Sequence, residues 1–204
     1  MSSTVPLLVG ISGGIGAGKT MVSKIFSLLG ISIYNADDRA KWLMANHLPL
    51  KTRIIENFGT SAYFEDGQLN RQYLAEIVFS NPDKTSLING LVHPAVGEDF
   101  ELWASRQQTK FVLKEAALLF ETGSYKTLDF TIHVAASEAI RIERVKSRDV
   151  QRSTTQIKQI IEKQLTDEVK NKLANFVITN DDSILVIPQV LKIHAQLMEA
   201  KIKN

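Results

Sequence analysis

Gly13-Gly14-Ile15-Gly16-Ala17-Gly18-Lys19-Thr20 is the stretch that decides how this chain folds. It fits the phosphate-loop pattern G-x-x-x-x-G-K-[ST] at every specified position. Glycines let the backbone curl so that successive N–H groups point into one concavity. That concavity opens at the start of a helix whose dipole also favours negative charge. The pattern gives Gly14, Ile15, Gly16, Ala17 and Gly18 to the cradle. Lys19 reaches the β- and γ-phosphates as a point charge, and the Thr20 hydroxyl serves Mg²⁺.

Both flanks agree. Leu7-Leu8-Val9-Gly10-Ile11 is a short apolar run that ends at the glycines, as a buried strand does. From Lys19 to Leu29, the residues Val22, Ile25, Phe26 and Leu29 share one helical face, and Gly30 stops the helix. A dinucleotide-binding reading shares Gly14 and Gly16, and Asp37 lies near the place of its ribose-binding acid. Its third glycine, however, is Lys19, and it leaves Lys19-Thr20 unexplained.

The chain has 204 residues, enough for one substantial α/β core with room for an inserted subdomain. A hydrophobic share of 44% and a charged share of 23% are ordinary for a soluble globular protein. A net charge of +2 gives no argument for nucleic acid or an anionic membrane as partner. With no Cys, disulfides and thiol-ligated metal centres are excluded. No apolar run approaches membrane-spanning length, and the N-terminal strand lacks a basic leader. The expected location is cytoplasmic, with access to ATP.

Ile31 to Tyr34 reads as a second strand. Asn35-Ala36-Asp37-Asp38 follows at its C-terminal end, where open α/β sheets place their ligands. A helix is expected from Arg39 to Ala45, with Asp37 or Asp38 near its start. The pattern then turns helical. Leu50 to Phe58 is amphipathic and closed by Gly59, and Glu65-Asp66-Gly67 is a turn. Asn70 caps a helix through Phe79, and Pro82 starts another near Asn81. Pro94 breaks the chain after His93, and Ala95 to Arg106 resumes as helix. Trp42, Tyr63 and Phe64 read as packing residues.

Strands return at Phe111-Val112-Leu113, with Glu115 at the end, and at Phe130 to Val134. Ser137 starts a helix to about Arg148. Ser153-Thr154-Thr155-Gln156 is a capping box for a helix ending near Leu165. Phe176-Val177-Ile178 is a last strand, and Ser183 to Ile202 a terminal helix with Pro188 in its first turns. Strands alternating with helices argue for a parallel sheet wrapped on both faces.

Phosphoryl transfer asks for positioning and charge neutralisation, and transfer to an alcohol gains from a carboxylate near the attacking hydroxyl. Asp37 is the candidate for that carboxylate, with Asp38 as the alternative; either acid also suits a helix cap. Glu115 suits a magnesium site, directly or through water, or an ion pair with Lys114 or Lys110. Arg141, Arg144 and Arg148 share a helix face. They suit a phosphate clamp in a lid over ATP, or a solvated face with a Glu138–Arg141 pair. His93 before Pro94 reads as structural, with no metal role.

Taken together, these stretches resemble the dephospho-coenzyme A kinase family over nearly the whole chain. The loop has that family's Gly-Gly-Ile-Gly-x-Gly-Lys form. Gly30 to Asp37 is similar to its segment ending Asp-Ala-Asp. Gly67-Gln68-Leu69-Asn70-Arg71 with Val78-Phe79, and Leu91-Val92-His93-Pro94, are similar to its central region. Leu118-Leu119-Phe120-Glu121 fits its Leu-Leu-Phe-Glu. Arg144 to Asp149 and Gln164 resemble its lid, and Val177-Ile178-Thr179-Asn180 its closing strand.

The resemblance implies an α/β P-loop kinase fold: a parallel sheet flanked by helices, with a helical acceptor-binding insertion and an Arg-bearing lid. One domain is expected, its core at about 5–45, 109–136 and 174–204, the insertion at about 46–108 and the lid at about 137–173. The implied reaction is ATP-dependent phosphorylation of the ribose 3′-hydroxyl of dephospho-coenzyme A, the last step of coenzyme A biosynthesis. Asp37 takes the place of the family's base, with Lys19, Arg144 and Arg148 as catalytic partners. Arg141 and Asn180 join the loop in binding ATP. Asp37, Arg71, His93 and Leu118 serve the acceptor, and Thr20 and Glu115 the metal.

The chain departs from the pattern at four places. Asn35 replaces the first Asp of the family's pair, and so carries no charge. Lys41 stands where Arg is usual, Ala117 where Pro is usual, and Glu115 where Asp is common. Other P-loop nucleoside or nucleotide kinases remain the same-fold alternative, and a nucleotide-dependent switch the different one. Guanine recognition is unsupported, since Asn171-Lys172-Leu173-Ala174 lacks the final Asp of Asn-Lys-x-Asp.

Overall fold

The computed structural model describes residues 5–201. Its chain divides into two compact units: Ala36–Trp103 forms one, and the rest of the described chain the other.

The larger unit is built on five parallel strands. These are β1 (Leu7–Ser12), β2 (Ser32–Asn35), β3 (Phe111–Glu115), β4 (Phe130–Ala135) and β5 (Phe176–Thr179), in the spatial order β2-β3-β1-β4-β5. The apolar alternation of β1 explains its place at the centre. Leu7, Val9 and Ile11 face a core that also takes Phe111, Leu113, Ile132, Val134 and Ile178. Two helices cover that core, α1 (Lys19–Leu28) through Val22 and Phe26 and the terminal helix (Val186–Glu199) through Val190, Ile193 and Leu197. Phe26 meets Phe111 edge to face at 6.2 Å. On the opposite face of β1, a Cβ on Gly10 would lie 2.5 Å from Leu128 and 2.6 Å from Leu119, so both faces are packed.

The strand order sets where a ligand belongs. From β1 the chain crosses to β2 on one side, and from β3 it crosses to β4 on the other. The carboxyl ends of β1 and β3 therefore flank a topological switch point, the position where open α/β sheets bind ligands. Register aligns Ile11 with Glu115 there, and Glu115 in turn with Asn35.

The remaining helices of this unit are α6 (Glu138–Arg148), α7 (Thr154–Glu162) and α8 (Asp167–Leu173), with the terminal helix as α9. The capping box of α7 is present, with Gln156 N–H donating to Ser153 Oγ at 3.2 Å and Ser153 N–H to Gln156 Oε1 at 2.9 Å. Ser137 stands at the N-cap of α6 without a side-chain hydrogen bond.

Periodicity gave no sign of α8. Its one buried residue is Lys170, a residue that an apolar-face reading discards. Helix α7 stops short of Leu165 because Gln164 and Leu165 are used elsewhere: Leu165 N–H donates to Glu121 at 3.0 Å. Helix α9 starts three residues later than expected, since Ser183 N–H is bound to Asp181 Oδ1 at 3.1 Å in a local turn. It ends at Glu199, and Ile202 lies outside the described residues.

The helical unit holds α2 (Ala36–Asn46), α3 (Leu48–Phe58), α4 (Arg71–Ser80) and α5 (Pro82–Ala104). Leu50, Ile54 and Phe58 form the buried stripe of α3, which Gly59 ends at φ +85°. Asn70 caps α4 by accepting from Tyr73 N–H. Helix α2 begins at Ala36, three residues before the expected start, so Asp37 and Asp38 lie in its first turn, where the helix dipole favours acids.

Pro94 does not break α5. It lacks an N–H for Gly90, yet Val92, Val96 and Phe100 continue one buried stripe past it, and that packing offsets the missing bond. Tyr63 is buried, with its hydroxyl donating to Met44 O at 2.7 Å, and burial pushes its pKa up to about 12. Trp42 and Phe64 are instead exposed, Trp42 beneath the Arg39 guanidinium at 4.3 Å. No helix among the described residues is long and apolar enough to cross a membrane.

Candidate active site

The loop from Gly13 to Gly18 leaves β1 at the switch point and enters α1. Two of its glycines sit where only glycine is at ease: Gly16 at φ +79° and Gly18 at φ +93°. Gly18 is the N-cap of α1, and Ala17 N–H closes the curl on Gly14 O at 3.0 Å. Space forbids side chains as firmly as the dihedrals do. A Cβ would stand 2.5 Å from Val134 O at Gly13, 2.4 Å from Arg141 O at Gly16 and 2.3 Å from Asn180 Nδ2 at Gly18.

Lys19 and Thr20 open α1. Lys19 Nζ donates to Gly13 O at 2.8 Å, so the ammonium is folded over the loop. Thr20 Oγ1 donates to Glu115 Oε1 at 2.7 Å. A hydroxyl and a carboxylate thus meet at the β1–β3 switch point, an oxygen-only pair of the kind that hard cations take. Glu115 is buried and reaches Thr20, rather than pairing with Lys110.

The loop is held from behind by two arms, one turn apart on α6. Arg141 is buried, and its Nε donates to Ile15 O at 3.1 Å. Gln164 Oε1 accepts from Ile15 N–H at 3.0 Å, so both polar groups around Ile15 are taken by side chains. The second arm runs through Asn180: its Nδ2 donates to Ala17 O at 2.7 Å, and Arg144 donates to Asn180 O at 2.9 Å. Arg144 also pairs with Asp182 at 3.1 Å. The expected row of three arginines is therefore graded. Arg148, mostly exposed, is held by Asp149 at 3.0 Å, and that ion pair keeps the Asp149 carboxyl below its ordinary range.

The spacing of charged residues missed what supports these arms. Asp167 Oδ1 lies 3.4 Å from both Arg141 Nη1 and His133 Nε2, and Asp167 Oδ2 accepts from Ala136 N–H at 3.3 Å. Lys170, fully buried, lies 2.8 Å from Glu121. The signal that was available is the opening of α8: Thr166 as cap, Asp167 and Glu168 in the first turn, and Lys170 and Lys172 in the last.

Leu118 sits exposed in the turn after β3. The other acceptor-side candidates belong to the helical unit. Asp37 is in the first turn of α2, Arg71 is the first residue of α4, and His93 is on α5, all three exposed. Asp38 pairs with Lys41 at 2.9 Å.

Comparison with known proteins decides the family. A family model described as dephospho-CoA kinase (CoaE) matches residues 7–185. The chain belongs to the dephospho-CoA kinase family. That membership makes it a P-loop kinase of coenzyme A biosynthesis, at the pathway's last step. Among the relatives, the dephospho-CoA kinase of Porphyromonas gingivalis is 35% identical over 187 residues, covering 92% of each chain. That of Salinibacter ruber is 39% identical over 179 residues, covering 86% of this chain and 89% of the relative. Among solved structures, TT1252 from Thermus thermophilus superposes with a TM-score of 0.82 at 29% identity, over 95% of this chain and 98% of the other. Dephospho-CoA kinase from Campylobacter jejuni shares the fold at a TM-score of 0.68 and 22% identity, over 94% of this chain and 97% of the other.

Proposed function

We propose that this kinase transfers the γ-phosphoryl group of ATP to the ribose 3′-hydroxyl of dephospho-coenzyme A, giving coenzyme A and ADP. The observation that carries the reading is the junction of Lys19, Thr20 and Glu115 at the carboxyl ends of β1 and β3, in a chain of this family. In the transfer, the 3′-oxygen bonds to the γ-phosphorus while the bond from that phosphorus to the β,γ-bridging oxygen breaks. The hydroxyl proton passes to a carboxylate, and ADP leaves with the bridging oxygen.

Asp37 is assigned as that carboxylate. It follows β2 directly, two residues after Asn35, which is opposite Glu115 in the strand register. Asn35 is neutral, and Asp37 takes the place of the family's base, which supports the assignment. The loop N–H groups from Gly14 to Thr20 and the Lys19 ammonium hold the phosphates. Arg144 and Arg148 are assigned to neutralising the charge that spreads over the transferred group, from a lid at 137–173. Arg141 and Asn180 contribute to ATP binding through the loop they hold. Arg71, His93 and Leu118 are assigned to the acceptor.

Thr20 and Glu115 would hold Mg²⁺, and their oxygen-only donor set fits it. Bound there, the ion supplies charge neutralisation at the β- and γ-phosphate oxygens. The use of ATP as donor supports a cytoplasmic location.

The test is ADP formation with ATP and Mg²⁺, with and without dephospho-coenzyme A. Acceptor-dependent ADP release, with a product phosphorylated at the 3′ position, is expected. ATP turnover indifferent to the acceptor, or none with this acceptor, contradicts the reading.

A further inference from the structure

We propose that Asp167, at the start of α8, is a positioning residue for ATP binding: it sets the Arg141 guanidinium that grips the phosphate loop at Ile15. The inference rests on the loop's holding ATP, as proposed above. Arg141 is 5% exposed, and its guanidinium lies flat against the loop; a Cβ on Gly14 would be 2.3 Å from its central carbon. A buried guanidinium needs an opposite charge and a partner for each edge. Nε is taken by Ile15 O, Nη2 faces Gln164 Oε1 at 3.4 Å, and Nη1 faces Asp167 Oδ1 at 3.4 Å.

Asp167 is itself flanked on two further sides, by His133 Nε2 on β4 at 3.4 Å and by Ala136 N–H in the turn between β4 and α6, which donates to Oδ2 at 3.3 Å. It therefore joins the sheet to the root of the helix that carries Arg141. Burial pushes the Asp167 carboxyl up. The His133 ring and the Arg141 charge, with Ala136 N–H, outweigh that and hold it below its ordinary value, so the group stands as a carboxylate at neutral pH. The paired charges also offset each other, which keeps the carboxylate from opposing the phosphates nearby.

A positioning role and a merely structural one separate in a double-mutant cycle on MgATP affinity, read by titration calorimetry on the full chain. Asp167→Asn is expected to weaken MgATP binding roughly tenfold, the scale of one charge-assisted hydrogen bond, with the KM for the acceptor unchanged. Arg141→Gln is expected to do the same, and the double variant to bind no more weakly than Arg141→Gln alone. Wild-type affinity in Asp167→Asn overturns the proposal, and so do losses that multiply in the double variant.

If Asp167→Asn does not fold, Arg141→Lys serves as the second variant. It keeps the charge but loses the fork, so a comparable loss of affinity is expected and wild-type affinity overturns the proposal. Lys19→Ala in the same titration tests the underlying reading separately. If Lys19→Ala binds MgATP as wild type does, the loop is not the ATP site. If it loses binding while Asp167→Asn does not, only the role given to Asp167 fails.

Discussion

The loop end of the sheet and the helical unit are built by opposite rules. Around Gly13 to Thr20, positions are fixed atom by atom. Four glycines meet backbone or side-chain atoms within 2.5 Å of where a Cβ would stand, and buried side chains hold single carbonyls at Ile15 and Ala17. In the helical unit the packing is broader and more tolerant. Amphipathic faces such as Leu50, Ile54 and Phe58 are buried, helix ends are capped, and much of the polar bonding lies at the surface. A Cβ at Gly90 or Gly97 would meet nothing within 4 Å, and one at Gly59 or Gly67 only the end of a side chain. Under the proposed assignment, the donor side recognises one rigid group, the phosphate chain, and so is written in backbone geometry, whereas the acceptor side would be written in exposed side chains on helices.

The sharpest way to break this contrast lies in turnover. Asp37→Asn should lower kcat by roughly a hundred- to ten-thousandfold, the span of general-base catalysis, in steady-state assays with both substrates. Activity close to wild type would return Asp37 to being an acid that favours the start of α2.

A second comparison sets two glycine-to-alanine changes side by side. Gly18→Ala strains a φ of +93° and drives a Cβ into Asn180, so ATP turnover should fall at least about tenfold. Gly97→Ala, inside α5 with open space around it, should raise unfolding free energy by about 0.5–1 kcal/mol in denaturant titrations and leave MgATP affinity intact. Equal effects from the two would erase the distinction between the regions.

The smallest effect is a pH dependence. The Asp167 carboxyl is held below its ordinary value by His133 and Arg141, so the stability it contributes is present above the unfolded pKa, about 3.9. That contribution disappears as pH falls through the lowered folded value. The stability gap between wild type and Asp167→Asn, followed by thermal melts, should therefore close on acidification below about pH 4. A gap that survives strong acid would mean that Asp167 works by packing rather than by charge.

What the sequence makes legible follows the same division. Strand β1, the loop and α1 are readable because a specific motif sits between two clear periodicities. Glu115 is readable as an acid at a strand end, and the arginines of α6 as a row. Their partners are not readable, because Ile15 O and Asn180 O are backbone carbonyls, which every residue has. Helix α8 escapes because its inward residue is Lys170, partnered by Glu121 from a distant loop. Pro94 misleads because the stripe through Val92, Val96 and Phe100 outweighs one lost hydrogen bond. The acceptor side is the least legible: its candidates, Arg71 and His93, rest on family resemblance.

The central claim is a division of labour, with the donor held by the loop and the acceptor's proton taken by Asp37. MgATP titration of Lys19→Ala and Asp37→Asn, without acceptor, tests it most directly. The account predicts that Lys19→Ala loses most of its ATP affinity while Asp37→Asn keeps the wild-type value. Wild-type binding in Lys19→Ala, or lost binding in Asp37→Asn, would contradict it.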